Sequence, residues 1–562
     1  MIEVHAANRP GRPVLLLVMV SLTLAGVLGL AWGQSQWRRA LAPPVRIPDT
    51  PLTVSPPPGW RSPPGEPGVF ERVVALQRLP WQQTLAVERR LRFGYVRLPY
   101  WLPPAEALSR IGVLGPGANA EIHAARVGPF QGIEVQVASR QIINGRIVDI
   151  VRLIRAATLP RGDLIYIDYR PSGTLTLGDL TLLGDVAKAL RFEDDRANVD
   201  ATTAARAAHV VFEADRNWQF ALARRVESPG FSIGPRNGEG WAITVHRTFL
   251  APGRTPDSLL RDSICDVARG DEAPAFTSSA TQRDNTWELL YAEPGHAWGC
   301  VGAWLRVEDT EATLVHAFGS TQKPAAARDA ATRFLAKLRH DGPPLFPGVA
   351  AAMHRGLARV ESLTTERLME VWGQRPRLTE YNIFGLGATY RFEQIRRWVL
   401  DRRRPPVIEA QWTRSLLDKV DASMSSRTTV DASWFDTELR FGVDRPLAIR
   451  EYGRSGEVRR ERNGVVRTFE APPGYLPPAL FDGVKRLMAA AAEPEVFATP
   501  VLLGQSYGWV WVQPDTSGAM PAVRVLADHS PAVELTRYDK RDGEPVEELT
   551  EMYRLVRAGR MP

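Results

Sequence analysis

Hydrophobic positions fall into three regimes along this chain. From Val14 to Trp32 they run without a charge, as VLLLVMVSLTLAGVLGLAW. At ~1.5 Å per residue, such a helix crosses a hydrocarbon layer of roughly 30 Å. From Ala42 to about Gly68 the chain is polar and dense in proline, which fixes φ and removes backbone donors, so an extended spacer is expected. Beyond Val69, apolar residues alternate with polar ones in short runs or recur at helical spacing, as in water-soluble domains. The pattern divides the chain into a tail (1–12), a transmembrane anchor (13–37), a proline-rich linker (38–68), a first unit (69–195), a short linker (196–208), a second unit (209–341) and a helix plus C-terminal β-rich region (342–562).

The rival reading of the first regime is a signal peptide cleaved near Ala31-Trp32-Gly33. Its apolar core exceeds the roughly 7–15 residues such peptides use. Trp32, Trp37, Arg38 and Arg39 suit the far interface of a spanning helix. Arginines flank both ends, so charge does not fix the orientation. A short tail before a long polar chain favours a signal anchor, with the body outside the cytoplasm. A bacterial inner-membrane, single-pass protein with a periplasmic body follows as the expectation, with the bilayer as one partner.

In the first unit, Arg92–Leu98, Ala120–Val127, Gly132–Ile143 and Asp163–Tyr169 read as strands. Asn144-Gly145 marks a hairpin, because both residues tolerate positive φ. A short helix is predicted from Pro104, and a closing helix carries Leu180, Leu183, Val186 and Leu190. The second unit repeats the order. Trp241–Leu250 alternates, and Thr255-Pro256 caps a helix through SLLRDSICDVA. TWELLYA, WGCVGAWLRV and EATLVHAF then form a meander, and a helix closes it from Pro324. A duplication is suspected from element order alone. After Asp341 a helix is expected over Val349–Trp372. Antiparallel strands follow, including Arg427–Trp434, Glu438–Val443 and Leu447–Tyr452, interrupted by a helix from Pro478 to about Ala491. The fold class is thus α+β and multidomain: a transmembrane helix, two antiparallel-sheet α/β units and a half-barrel-like C-terminal domain.

The repeated order resembles PsbP-type α/β sandwiches. That resemblance implies an assembly or binding role outside a membrane, usually without catalysis. The ending, VRVLADHSPAVELTRYDKRDGEPVEELTEMYRL, resembles the last strands of LolA-like lipoprotein carriers at Asp528, Pro531, Tyr538, Asp539, Gly543, Pro545 and Val546. It implies a curved sheet around a helix that holds acyl chains.

Composition narrows the chemistry. The formal charge is +7, but 64 of the 70 basic residues are arginine and they interleave with 63 acids. No basic face recurs at helical spacing, so nucleic acid is not an expected partner. No metal-ligand spacing, phosphate-cradling glycine loop or nucleophile elbow is present. Gly234–Gly240 precedes a strand and reads as a loop. Glu293, His296 and Cys300 cluster locally without a second ligand pair. Cys265, on a predicted helix, and Cys300, on a strand that the helix should cover, are the only cysteines. Given export, a disulfide between them is expected, with two buried thiols as the alternative. Trp509 and Trp511 share one side of their strand and would line a half-barrel interior. The expectation is a membrane-tethered, non-catalytic binding or assembly protein without a cofactor, partnering another membrane or periplasmic protein. The alternatives are a lipid or lipoprotein carrier, and an enzyme whose site is assembled from residues distant in sequence, such as Glu293 with His296.

Overall fold

The computed structural model describes residues 41–558 except for short stretches, the longest being 193–198, 223–228, 268–275 and 385–391. Among these residues there are 32 strands in five sheets and eight helices. The fold is therefore mostly β, and the α+β class does not stand. The anchor expected over 13–37, from Val14 to Trp32, lies outside the described residues. Among those described, no helix is long and apolar enough to cross a membrane. The longest have thirteen residues, about 20 Å of rise. The transmembrane, single-pass and signal-anchor assignments thus have no support here.

The first unit is a six-stranded antiparallel sheet. Its order is Val69–Leu79, Gln82–Arg97, Asp163–Pro171, Arg146–Thr158, Phe130–Ile143, Ala120–Val127. Helix Pro104–Arg110 precedes a four-strand meander whose last strand returns to pair with Gln82–Arg97, Tyr95 opposite Ile165. Helix Leu177–Ala189 then closes the unit, started by Thr176, which accepts from the Asp179 amide while Asp179 accepts from Thr176.

The second unit has seven strands in the same plan. Trp241–Phe249 is followed by helix Pro256–Val267, a meander, and a return strand, Glu311–Ser320, that pairs Val245 with Val315. Helix Ala325–Ala336 closes it. The suspected repeat is thus a repeat of connectivity. Helix Pro256–Val267 covers one sheet face through Leu259, Leu260 and Ile264, and Ala325–Ala336 covers the other through Ala331 and Phe334. One apolar cluster runs from Leu102 and Leu108 of the first unit into Leu260 and Leu305 of the second.

The stretch read as a proline-rich spacer is partly built into the first unit. Val45–Arg46 and Leu52–Val54 pair with each other, and Leu52–Val54 pairs with Arg191–Phe192. Ile47, Leu52 and Val54 are buried in its core. Proline density indicated an extended chain correctly, but extended chain also pairs as strand.

The remaining chain forms a fourteen-stranded antiparallel sheet. Eight strands, from Arg377–Phe384 to Val465–Glu470, make one arm; six, from Glu495–Pro500 to Arg554–Arg557, make the other. The arms join where Arg377–Phe384 pairs with Arg554–Arg557, Ile383 opposite Leu555. Helix Pro478–Met488 lies inside the curl and touches Val407–Leu416 and Lys419–Thr429 on one arm and Glu495–Pro500, Tyr507–Asp515 and Ala522–Ala527 on the other. The single helix expected over Val349–Trp372 is two, Val349–Glu361 and Thr365–Trp372. The strand expected at Arg427–Trp434 is broken by a turn at 430–433, with Ala432 at φ 55°; Arg427 lies in Lys419–Thr429, and Trp434 opens Trp434–Phe441.

Candidate functional site

Helix Pro478–Met488 begins after Pro477 with Pro478 in its first turn, where the missing N–H costs nothing. Leu480, Val484 and Met488 pack on Val510, Val512, Val523 and Val525 of the sheet. The helix is also charged on its buried surface, and these charges front a cavity of about 330 Å³ between helix and sheet. From the helix come Asp482, Lys485 and Arg486; from the sheet and its turns come Arg396, Glu534, Glu544 and Glu548; Trp412, Met424 and Phe481 add apolar surface.

Strand alternation aims the sheet residues inward. Glu534, Thr536 and Tyr538 occupy one face of Val533–Tyr538, opposite Val525 and Val523. Their charges are met largely by one another. Arg486 Nη1 donates to Glu544 Oε1 at 2.9 Å, and its Nη2 to Asp482 Oδ2 at 3.2 Å. Lys485 Nζ donates to Glu534 Oε1 at 2.7 Å, an oxygen that also accepts from Thr536 Oγ1. Arg396 Nη2 donates to Glu548 Oε2 at 2.9 Å, and its guanidinium lies 5.0 Å from the Tyr381 ring centre.

Burial opposes ionisation of each group, yet the pairings win. Burial acts to raise Asp482, but Arg486, Lys485 and Arg396 hold it below the usual carboxylate value. Burial acts to lower Lys485, but Glu534, Tyr538 and Asp482 push it above its ordinary value, and Arg486 shifts upward against burial through Asp482 and Glu544. Burial raises Tyr381 and Tyr538. Both tyrosines are buried, and neither hydroxyl has a hydrogen-bond partner among the described residues.

The residues singled out by sequence lie elsewhere. Trp509 and Trp511 do share a side, but it is the face turned away from helix Pro478–Met488. Trp511 packs on Phe249 and Phe346, with ring centres 6.2 and 5.5 Å away. Trp509 stands edge-on to Tyr507 at 6.0 Å and lines a separate apolar groove of about 360 Å³ with Pro252, Met353, Leu357 and Pro473. Cys265 and Cys300 are buried and unbridged, which removes the disulfide. The two thiols have different surroundings: Cys265 is near Arg467 and Arg462 of the fourteen-stranded sheet, and Cys300 Sγ lies 3.7 Å from the Gly302 carbonyl. Glu293 and His296 lie outside the described residues. The charged cluster went unnoticed in sequence. Its one signal is that Asp482, Lys485 and Arg486 interrupt a helix whose other positions leave no polar face.

No family model matches the chain, and no curated protein matches it. A solved structure, a beta-barrel-like protein of a domain of unknown function from Brucella abortus, is similar over 32% of this chain and 93% of its own. It is 7% identical, with a TM-score of 0.24, too slight a likeness to bear on function. Neither the PsbP-type nor the LolA-like resemblance gains a family match. What stands is a sheet curled around a helix.

Proposed function

We propose that this is a non-catalytic ligand-binding protein that takes a small polar ligand inside the curled C-terminal sheet, with the two α/β units as scaffold. The observation that carries the reading is the cavity of about 330 Å³, walled by paired charges and aromatic surface. Its volume lies at the small end of the ~300–1,000 Å³ usual for ligand sites. The direction of the shifts supports binding over acid–base catalysis. Asp482 is held low and Lys485 high, so both stay ionised near neutrality, whereas a proton-transfer group needs a pKa near the working pH. The test is a thermal-shift screen of small charged metabolites on the full chain and on Ala410→Trp, which fills the cavity. Stabilisation of the unaltered chain that the variant loses is the expected result. Stabilisation that survives filling would refute the cavity as the site.

A second reading, a lipid carrier, is favoured by the apolar groove beside Trp509. Acyl lipid co-purifying with the chain, and lost in Leu357→Trp, would support that reading. Lipid-free protein would count against it.

A further inference from the structure

The hydrogen-bond capacity left over in the cavity narrows the ligand. Lys485 carries three N–H donors, and one is used, on Glu534. Glu534 receives both Lys485 and Thr536 at Oε1, which leaves Oε2 without a donor among the described residues. Asp482 receives Arg486 at Oδ2, which leaves Oδ1. Asp482 and Lys485 are three residues apart and so share a helix face. The Asp482, Glu534 and Lys485 side chains are 29%, 27% and 11% accessible, so the spare atoms open toward the cavity and not into the core.

We infer that the cavity takes a small zwitterion, an α-amino acid or dipeptide with an apolar side chain; this rests on the reading of the cavity as a ligand site. The ligand carboxylate accepts the two spare Lys485 N–H groups. The ligand ammonium donates to Asp482 Oδ1 and Glu534 Oε2. The apolar side chain lies against Phe481, Trp412 and Met424. A ligand of one charge leaves either the spare cation or the spare carboxylate oxygens buried without a partner, which is the costly outcome. A zwitterion meets both and adds no net charge. A divalent cation is disfavoured, because the Lys485 ammonium stands beside the two carboxylates that would receive it.

Isothermal titration of the full chain tests this, with L-leucine, leucyl-leucine, L-leucinamide, N-acetyl-L-leucine and dodecanoate as probes. Either zwitterion should bind about tenfold or more tighter than the cation-only amide and the anion-only acetyl compound. The comparison of free amino acid with dipeptide sets the ligand length. Asp482→Asn and Glu534→Gln should each weaken leucine and leave the acetyl compound as tight or tighter, because each removes a negative charge beside Lys485, whereas Lys485→Gln should weaken the acetyl compound. Circular dichroism checks that each variant folds, and the probe series on the unaltered chain needs no variant. Equal binding of leucine and its single-charge analogues would overturn the zwitterion. Dodecanoate binding that Ala410→Trp abolishes would also overturn it, yet leave the cavity standing. If no probe binds, the zwitterion falls, and the thermal-shift screen of other charged metabolites decides the cavity.

Discussion

The histidines of the second sheet show what single buried groups contribute. His246 and His316 lie on the face under helix Pro256–Val267, with ring centres 6.0 Å apart. Both are buried, and neither His246 nitrogen has a partner among the described residues. Burial pushes His316 down to about 3 and holds His246, which also faces His316 and His529, well below 6.5. As pH falls below 6.5 the unfolded chain takes up protons that these two refuse, so stability drops until their folded pKa values are passed. His529 has the opposite sign. Burial lowers it, but Asp528, Asp266 and Asp262 raise it above 6.5, so its contribution is complete below 6.5 and is lost at higher pH. Between pH 6 and 5 each of the pair therefore contributes about 1.4 kcal/mol per pH unit, alongside half-buried His340, which burial and Arg247 push down to about 4. Urea unfolding of His316→Leu should lose one such increment of slope, and an unchanged slope would refute the assignment. Gly356 acts through space. An added Cβ would run into the Val496 carbonyl and lie 3.3 Å from the Phe497 ring. Ala is worth about 1 kcal/mol in an open helix, but overpacking costs about 1–3. Gly356→Ala should therefore destabilise by about 1 kcal/mol, and a stabilised variant would show that the helix can move. For the cysteines, burial pushes the Cys265 thiol up to about 12. Thiol reagents should label the native chain slowly, and reductant should leave the melting temperature unchanged.

At the scale of elements, helix Pro478–Met488 is the organiser of the C-terminal sheet. Leu480 is fully buried between the arms, so Leu480→Ala should cost about 2–5 kcal/mol in denaturant unfolding. A loss well below that range would mean the arms stand without it. This helix was legible because Pro478 and the spacing of Leu480, Val484 and Leu487 are local signals. Ala120–Val127 and Trp241–Phe249 were legible for a similar reason, being bounded by turns or capped helices. The strand Phe392–Asp401 gave less away. Its inward residues Gln394 and Arg396 are polar because they face the charged cavity, while Ile395 is exposed on the other face, so the apolar alternation that announces a strand is broken there. The same cause hid the candidate site. Asp482 and Glu534 line one cavity only because the helix lies inside the curled sheet, and that placement leaves no trace in local sequence. The disulfide expectation failed likewise: helix-over-sheet placement puts two cysteines in one unit but does not aim their thiols.

Across the whole molecule, the second unit and the curled sheet are joined by charge as well as by apolar packing. Arg254 Nη2 lies 3.0 Å from Asp262 of the second unit, and its Nε 3.1 Å from Asp528, in the turn after Ala522–Ala527 of the fourteen-stranded sheet. Arg254 Nη1 donates to the Tyr507 carbonyl at 2.8 Å, and Thr248 Oγ1 to the Asp528 carbonyl at 2.7 Å. All three charged side chains are buried. Removing one partner strands the others, typically at about 3–5 kcal/mol. Arg254→Ala should lower the melting temperature and split a shared calorimetric transition into two; a single transition in the variant would show that apolar contact alone couples them. The join between the arms has a consequence in time. Arg377–Phe384 emerges from the ribosome early in this sheet, but its neighbour on one side, Arg554–Arg557, is the last strand described. The first arm must therefore wait through synthesis of the helix and the whole second arm with an unpaired edge. Nascent chains halted before Arg554 should be the aggregation-prone, chaperone-bound species of this protein, and release past it should end that vulnerability.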